Sequence, residues 1–179
     1  MPIRTFKLNV PTALTLSRIV LIPVFILITP SHPVAGAVVF GIASITDFLD
    51  GYLARRLGQI TEFGIIIDPI ADKFLVISAL FLLVSMGSLS LWPAIIITVR
   101  EFLITALRVG ALTKNIVIKA EMGGKLKTNA QVFGILCLIL EDSLFGVNLY
   151  GTGIVLIWIA VVLAVVSAVQ YTVVFWRKI

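Results

Sequence analysis

The sequence predicts an all-α integral membrane protein with six transmembrane helices and a short interfacial helix at its N-terminus. Three observations lead there. Of 179 residues, 60% are hydrophobic and 13% charged, against about 45–50% and about 25% in soluble domains, and mean hydropathy is +1.15. The apolar residues gather into six long stretches separated by turn residues. The basic residues cluster at one set of ends of those stretches. Disordered, collagenous and disulfide-framed classes are excluded. Cys137 is the single cysteine, so no internal disulfide exists.

Taken in order, residues 1–9 carry Arg4 and Lys7 beside Ile3, Phe6 and Leu8. They lack the small-residue cleavage site of a signal peptide and read as an interfacial helix. The apolar stretches then run roughly over 10–29, 34–54, 65–86, 91–112, 126–140 and 151–176. A span needs about 20 apolar residues, which these lengths approach. Pro30-Ser31-His32-Pro33, Gly87-Ser88 and the segment 146–151 supply turns. No repeat or linker marks a second domain, so residues 1–179 are expected to form one membrane-embedded unit. His32 reads as a solvated loop residue, Cys137 as a small packing residue, and Gly36, Gly41 and Gly134 as close-packing positions between helices.

Charge sets the topology. Arg4, Lys7, Arg55, Arg56, Arg108, Lys114, Lys119, Lys125, Lys127, Arg177 and Lys178 lie at one set of ends. The opposite loops hold no Lys or Arg, only Glu141 and Asp142. The positive-inside rule therefore places both termini on the cytoplasmic side of the cell's inner membrane, which requires an even number of crossings.

Four acids sit where a membrane disfavours them: Asp47, Asp50, Asp68 and Asp72. Asp47 comes thirteen positions after Val34, about 20 Å of helix, and a similar length follows Lys73. The two acidic pairs therefore reach the same depth, near the inner interface. At about 100° per residue, Asp47, Asp50, Gly51, Ala54 and Arg55 share one face, and Asp68 and Asp72 share another. Two carboxylates about 5 Å apart repel by about 3 kcal/mol at an effective dielectric near 20, and four multiply that repulsion. Cations must fill such a site unless most of the acids are protonated. All-oxygen ligands suit Mg²⁺ or Mn²⁺, and four carboxylates suit a pair, the clamp used in phosphoryl transfer. Gly51 and Ala54 leave room for a bulky group, and Arg55 offers a planar fork for phosphate. Intramembrane acids mark function by default, although pairing with Arg55, Arg56 and Lys73 at a wet helix end is the plain structural alternative.

Together these residues spell D-x2-D-G-x2-A-R-x8-G-x3-D-x3-D, filled by Asp47, Asp50, Gly51, Ala54, Arg55, Gly64, Asp68 and Asp72. That pattern resembles the motif of the CDP-alcohol phosphatidyltransferases. Three further runs resemble the branch of the family whose acceptor is sn-glycerol 3-phosphate: Asn9 to Arg18, Arg100 to Arg108, and Gly124 to Thr128. The resemblance implies the CDP-alcohol phosphotransferase fold, a homodimer, and transfer of the phosphatidyl group from CDP-diacylglycerol to the acceptor with release of CMP. It implies two divalent cations held by Asp47, Asp50, Asp68 and Asp72, and Asp72 as general base. It also implies CDP contacts from Asn9, Gly51, Ala54 and Arg55. Glycerol 3-phosphate is a dianion, and Arg100, Arg108, Lys125 and Lys127 can supply positive charge to it, with membrane-edge snorkelling as the alternative for Lys127. Arg100 lies deep and needs a partner, Glu101 or the phosphate. Arg18 is buried by position.

Other acceptors with the same chemistry are inositol phosphate, serine and phosphatidylglycerol. A cation transporter is the alternative from another class. It would need polar residues continuing to the outer face, and the second and third stretches offer only Ser44, Thr46 and Ser78 there. Nothing in the sequence points to nucleic acid.

Overall fold

The computed structural model describes residues 10–57, 62–113, 123–141 and 148–178, with side chains over 17–46, 73–107, 126–141 and 148–176. The expected interfacial segment 1–9 lies outside the described residues. Six helices account for nearly all of what is described: α1 Val10–Ile28, α2 Pro33–Leu57, α3 Glu62–Ser85, α4 Leu91–Thr113, α5 Gly123–Leu140 and α6 Leu149–Lys178. There is no strand among the described residues. Each helix coincides with one expected apolar stretch. Several extend up to three residues beyond it, because backbone hydrogen bonding continues past the point where side chains turn polar. In α2 and α3 that extension places Arg55 and Gly64 on helical backbone.

The chain divides into two compact units, Met1–Ser78 and Ala79–Ile179. In the first, α1 packs on α2. Phe25 and Phe40 are fully buried with ring centroids 5.5 Å apart, and Arg18 is fully buried as well. The turn between the helices is tight. Thr29 Oγ1 donates back to the Phe25 carbonyl at 2.6 Å, and the His32 carbonyl accepts from Gly36 N–H at 3.0 Å. Pro33 opens α2, where its missing N–H costs nothing. A Cβ on Gly36 would come within 2.9 Å of Thr29 Cα, so only glycine fits there. His32 is exposed, as expected. Gly41 departs from expectation: an added Cβ there would meet nothing within 4 Å, so it makes no close helix contact among the described residues.

In the second unit, α5 and α4 both pack on α6. On α6, Gly153, Ile157, Ala160 and Ala164 are buried, at helical spacings of four, three and four. A Cβ on Gly153 would lie 2.8 Å from Leu138 Cγ and 3.1 Å from the Gly134 carbonyl, and one on Gly134 would lie 3.0 Å from Ile157 Cδ1. Small residues thus let α5 and α6 approach closely. The turn after α3 is a Schellman cap: Ser88 N–H reaches the Leu83 carbonyl at 3.0 Å and Gly87 N–H reaches Val84 at 3.1 Å. Gly87 has φ +79°, a conformation open to glycine. Ser88 Oγ donates to Glu141 Oε1 at 2.6 Å, tying this turn to the end of α5.

One helix among the described residues, over Leu149–Trp176, is long and apolar enough to cross a membrane. Its outer faces expose Val155, Trp158, Ile159, Val162, Val165, Val166, Val169, Val173 and Trp176. A helix this apolar on its exposed side is suited to lipid.

Candidate functional site

The motif residues fall on two consecutive helices. Asp47, Asp50, Gly51, Ala54 and Arg55 lie in the last three turns of α2, and Gly64, Asp68 and Asp72 in the first three turns of α3. Every one of them sits on helical backbone, so the spacing that puts the acids on common faces applies to each. Their side chains lie outside the described residues, as do those of Arg108 and Lys125. Asn9 lies outside altogether. Pro69 follows Asp68 inside α3. With no N–H to give, it frees one carbonyl of the turn before it.

The candidate residues whose side chains are described belong to the second unit, and they are charged residues at core positions. On α5, Lys127, Gln131, Gly134 and Leu138 repeat at four, three and four, and all are buried. On α4, Ala94, Ile97 and Ile104 are buried, and Glu101 occupies the place between Ile97 and Ile104 that completes the same repeat. An acid and a base thus stand where each stripe calls for an apolar residue.

They meet. Lys127 Nζ donates to Glu101 Oε1, and Arg100 Nη1 donates to the same oxygen at 3.0 Å. The side chains are 6%, 15% and 13% exposed for Lys127, Glu101 and Arg100. Lys127 is therefore no snorkelling residue; its ammonium is turned inward. Arg100 takes two more partners from α6, the Ala164 carbonyl on Nε at 3.3 Å and Ser167 Oγ on Nη2 at 2.6 Å. Ser167 Oγ donates in turn to the Ala164 carbonyl at 3.1 Å. Among the described contacts, one carboxylate stands between two cations, in surroundings dry enough to strengthen their field. Two polar atoms close by in sequence, Gln131 Nε2 and Thr98 Oγ1, are buried without a hydrogen-bond partner.

Of the four expected acceptor residues, the structure brings Arg100 and Lys127 together through Glu101. The partners on α6 escape sequence reasoning, because Ser167 is an ordinary small polar residue in an apolar run. The core repeat on α5 is a signal that could have found the inward turn of Lys127.

Comparison with known proteins agrees with the motif. The family model described as CDP-alcohol phosphatidyltransferase matches residues 8–166. The chain is 38% identical over 179 residues to the CDP-diacylglycerol–glycerol-3-phosphate 3-phosphatidyltransferase of Bacillus subtilis (strain 168), covering 91% of this chain and 93% of that one. It is 40% identical over 176 residues to the protein of that name from Haemophilus influenzae, covering 92% of each. For the protein of that name from Escherichia coli (strain K12) the identity is 38% over 174 residues, with 92% and 93% covered. Likeness of this extent, over the same residues that carry the aspartate motif, makes the chain a member of the CDP-alcohol phosphatidyltransferase family.

Proposed function

We propose that this chain transfers the phosphatidyl group from CDP-diacylglycerol to sn-glycerol 3-phosphate, giving phosphatidylglycerophosphate and CMP. The observation that carries this is the complete aspartate motif, each of its eight residues on helical backbone at the end of α2 or the start of α3. The names of the relatives supply the acceptor, and the buried cationic cluster supplies chemistry suited to a dianion.

Asp47, Asp50, Asp68 and Asp72 are the ligands for two divalent cations, Mg²⁺ or Mn²⁺. The donor set fits such ions: all oxygen, anionic, and paired at i, i+3 and i, i+4 on helical backbone. When bound, the ions supply charge neutralisation to the diphosphate and to the departing CMP. The chain's own residues do the rest. Gly51 and Ala54, without bulk on the acidic face, admit the CDP group, and Arg55 and Asn9 contact it. Arg100, Arg108, Lys125 and Lys127 hold the acceptor's phosphate and so orient its free primary hydroxyl. Asp72 takes the proton of that hydroxyl as its oxygen bonds to the phosphorus bearing the diacylglycerol. The anhydride bond to CMP breaks in the same step.

The protein is a homodimer of single-domain chains in the inner membrane. Each chain has six spans, with both termini and the site on the cytoplasmic side. Support comes from the six helices, the one-sided bases and the exposed apolar face of α6. The test is CMP release by purified protein given CDP-diacylglycerol and, separately, glycerol 3-phosphate, inositol phosphate, serine and phosphatidylglycerol. Turnover with glycerol 3-phosphate alone is expected. Turnover with another acceptor in its place would overturn the assignment.

A further inference from the structure

We propose that Glu101 is a positioning residue for the acceptor's phosphate, its carboxylate holding the Lys127 ammonium and the Arg100 guanidinium in one pre-set unit. This rests on the reading that Arg100 and Lys127 take that phosphate.

The argument begins with what a lysine and an arginine do when nothing holds them. Each is a long chain of rotatable bonds, and ordering such a side chain at binding costs free energy. Here both are ordered beforehand. Glu101 Oε1 accepts from each. Arg100 is gripped on three sides, with Nε, Nη1 and Nη2 each engaged by a different group. A guanidinium has five N–H groups in a rigid plane, so these three bonds fix the direction in which the remaining two point. The anchors come from three helices: Glu101 on α4, Lys127 on α5, and Ala164 with Ser167 on α6.

Charge sharpens the point. A carboxylate set between two cations removes one unit of positive charge from their surroundings, which on electrostatic grounds alone weakens the hold on a dianion. A site that carries this acid at a core position gains from it in geometry. The two accounts predict opposite signs when the charge is removed, and a third account, in which Glu101 merely ties α4 to α5, predicts an effect on both substrates.

The experiment is steady-state CMP release by the purified full-length protein, varying glycerol 3-phosphate and CDP-diacylglycerol separately, with a thermal unfolding midpoint recorded for each variant. Glu101→Gln is expected to raise KM for glycerol 3-phosphate about tenfold, the loss of one charge-assisted hydrogen bond. KM for CDP-diacylglycerol and kcat should stay within about twofold. Glu101→Asp keeps the charge but shortens the reach, and is expected to raise the same KM. Ser167→Ala loosens only the far side of Arg100 and should raise it about threefold; it also carries the test if the Glu101 variants do not fold. A glycerol 3-phosphate KM that is unchanged or lower in Glu101→Gln would overturn the proposal. So would parallel shifts in both KM values together with a lowered unfolding midpoint, or an unaltered KM in Ser167→Ala. Lys127→Ala separates the two levels. If it leaves the acceptor KM alone, the phosphate assignment falls and this proposal with it. If it raises that KM while Glu101→Gln does not, this proposal alone falls.

Discussion

A carboxylate that receives a proton from an attacking hydroxyl cannot be replaced by an amide of the same shape. Asp72→Asn is therefore expected to lower CMP release by at least about a hundredfold, with insertion into the membrane unchanged. Near-normal turnover in that variant would remove Asp72 from the mechanism. The four acids also make a shared prediction. If they cluster as proposed, their mutual repulsion is relieved by bound cations, so a chelator should abolish activity and added Mg²⁺ or Mn²⁺ restore it; full activity in chelator would defeat the metal assignment. The family motif was legible in the sequence because its message lies in spacing. The environment of Lys127 was harder to read. A lysine near a helix end suits snorkelling as well as burial, and what decides is its register with Gln131, Gly134 and Leu138, together with an acid on another helix. The partners of Arg100 on α6 were less legible still, since a serine in an apolar helix announces no contact 67 residues away.

Helix ends obey simpler rules and give separate tests. Asn148 caps α6, its Oδ1 accepting from Gly151 N–H at 2.6 Å. Removing such a cap costs about 1 kcal/mol, so Asn148→Ala should lower the unfolding midpoint in detergent while leaving both KM values alone. Gly153→Leu should be more damaging, because its side chain would enter space held by Leu138 and the Gly134 carbonyl. Overpacking of this kind costs about 1–3 kcal/mol, and an unchanged midpoint would show that α5 and α6 can part without loss. The helices themselves were readable from breakers: Pro30 and Gly87 fall at turns, and Pro33 opens α2. Their exact extents were not, since α2 continues through Arg55, Arg56 and Leu57, where hydropathy fails but the backbone goes on bonding to itself. Gly41 was read as a packing glycine by residue type alone, and type does not say which side of a helix faces a neighbour.

Across the molecule, the distribution of bases makes the proposed orientation testable. The turn holding His32 is exposed and lies among the loops that carry no Lys or Arg. The protein's natural cysteine, Cys137, is half-buried within α5. In a Cys137→Ala background, His32→Cys should react with a membrane-impermeant maleimide added to intact cells. Labelling only after the cells are opened would reverse the topology. The fold class was legible at this scale because lipid is a demanding solvent and leaves its mark on composition.

The buried grip on Arg100 has a consequence for how the chain is made. An arginine near the middle of a membrane helix carries an insertion penalty of about 2.5–3.5 kcal/mol, and Glu101 beside it adds another charged group to α4. Two of the groups that accommodate Arg100, the Ala164 carbonyl and Ser167, belong to α6 and are synthesised more than 60 residues later. On the proposed six-span topology, α4 has no finished seat in the bilayer while the ribosome is still making those residues. Biogenesis of this protein should therefore pass through a stage in which α4 waits beside the translocation machinery. A nascent chain ending before Ala164 should stay exposed to membrane proteases that spare the finished protein.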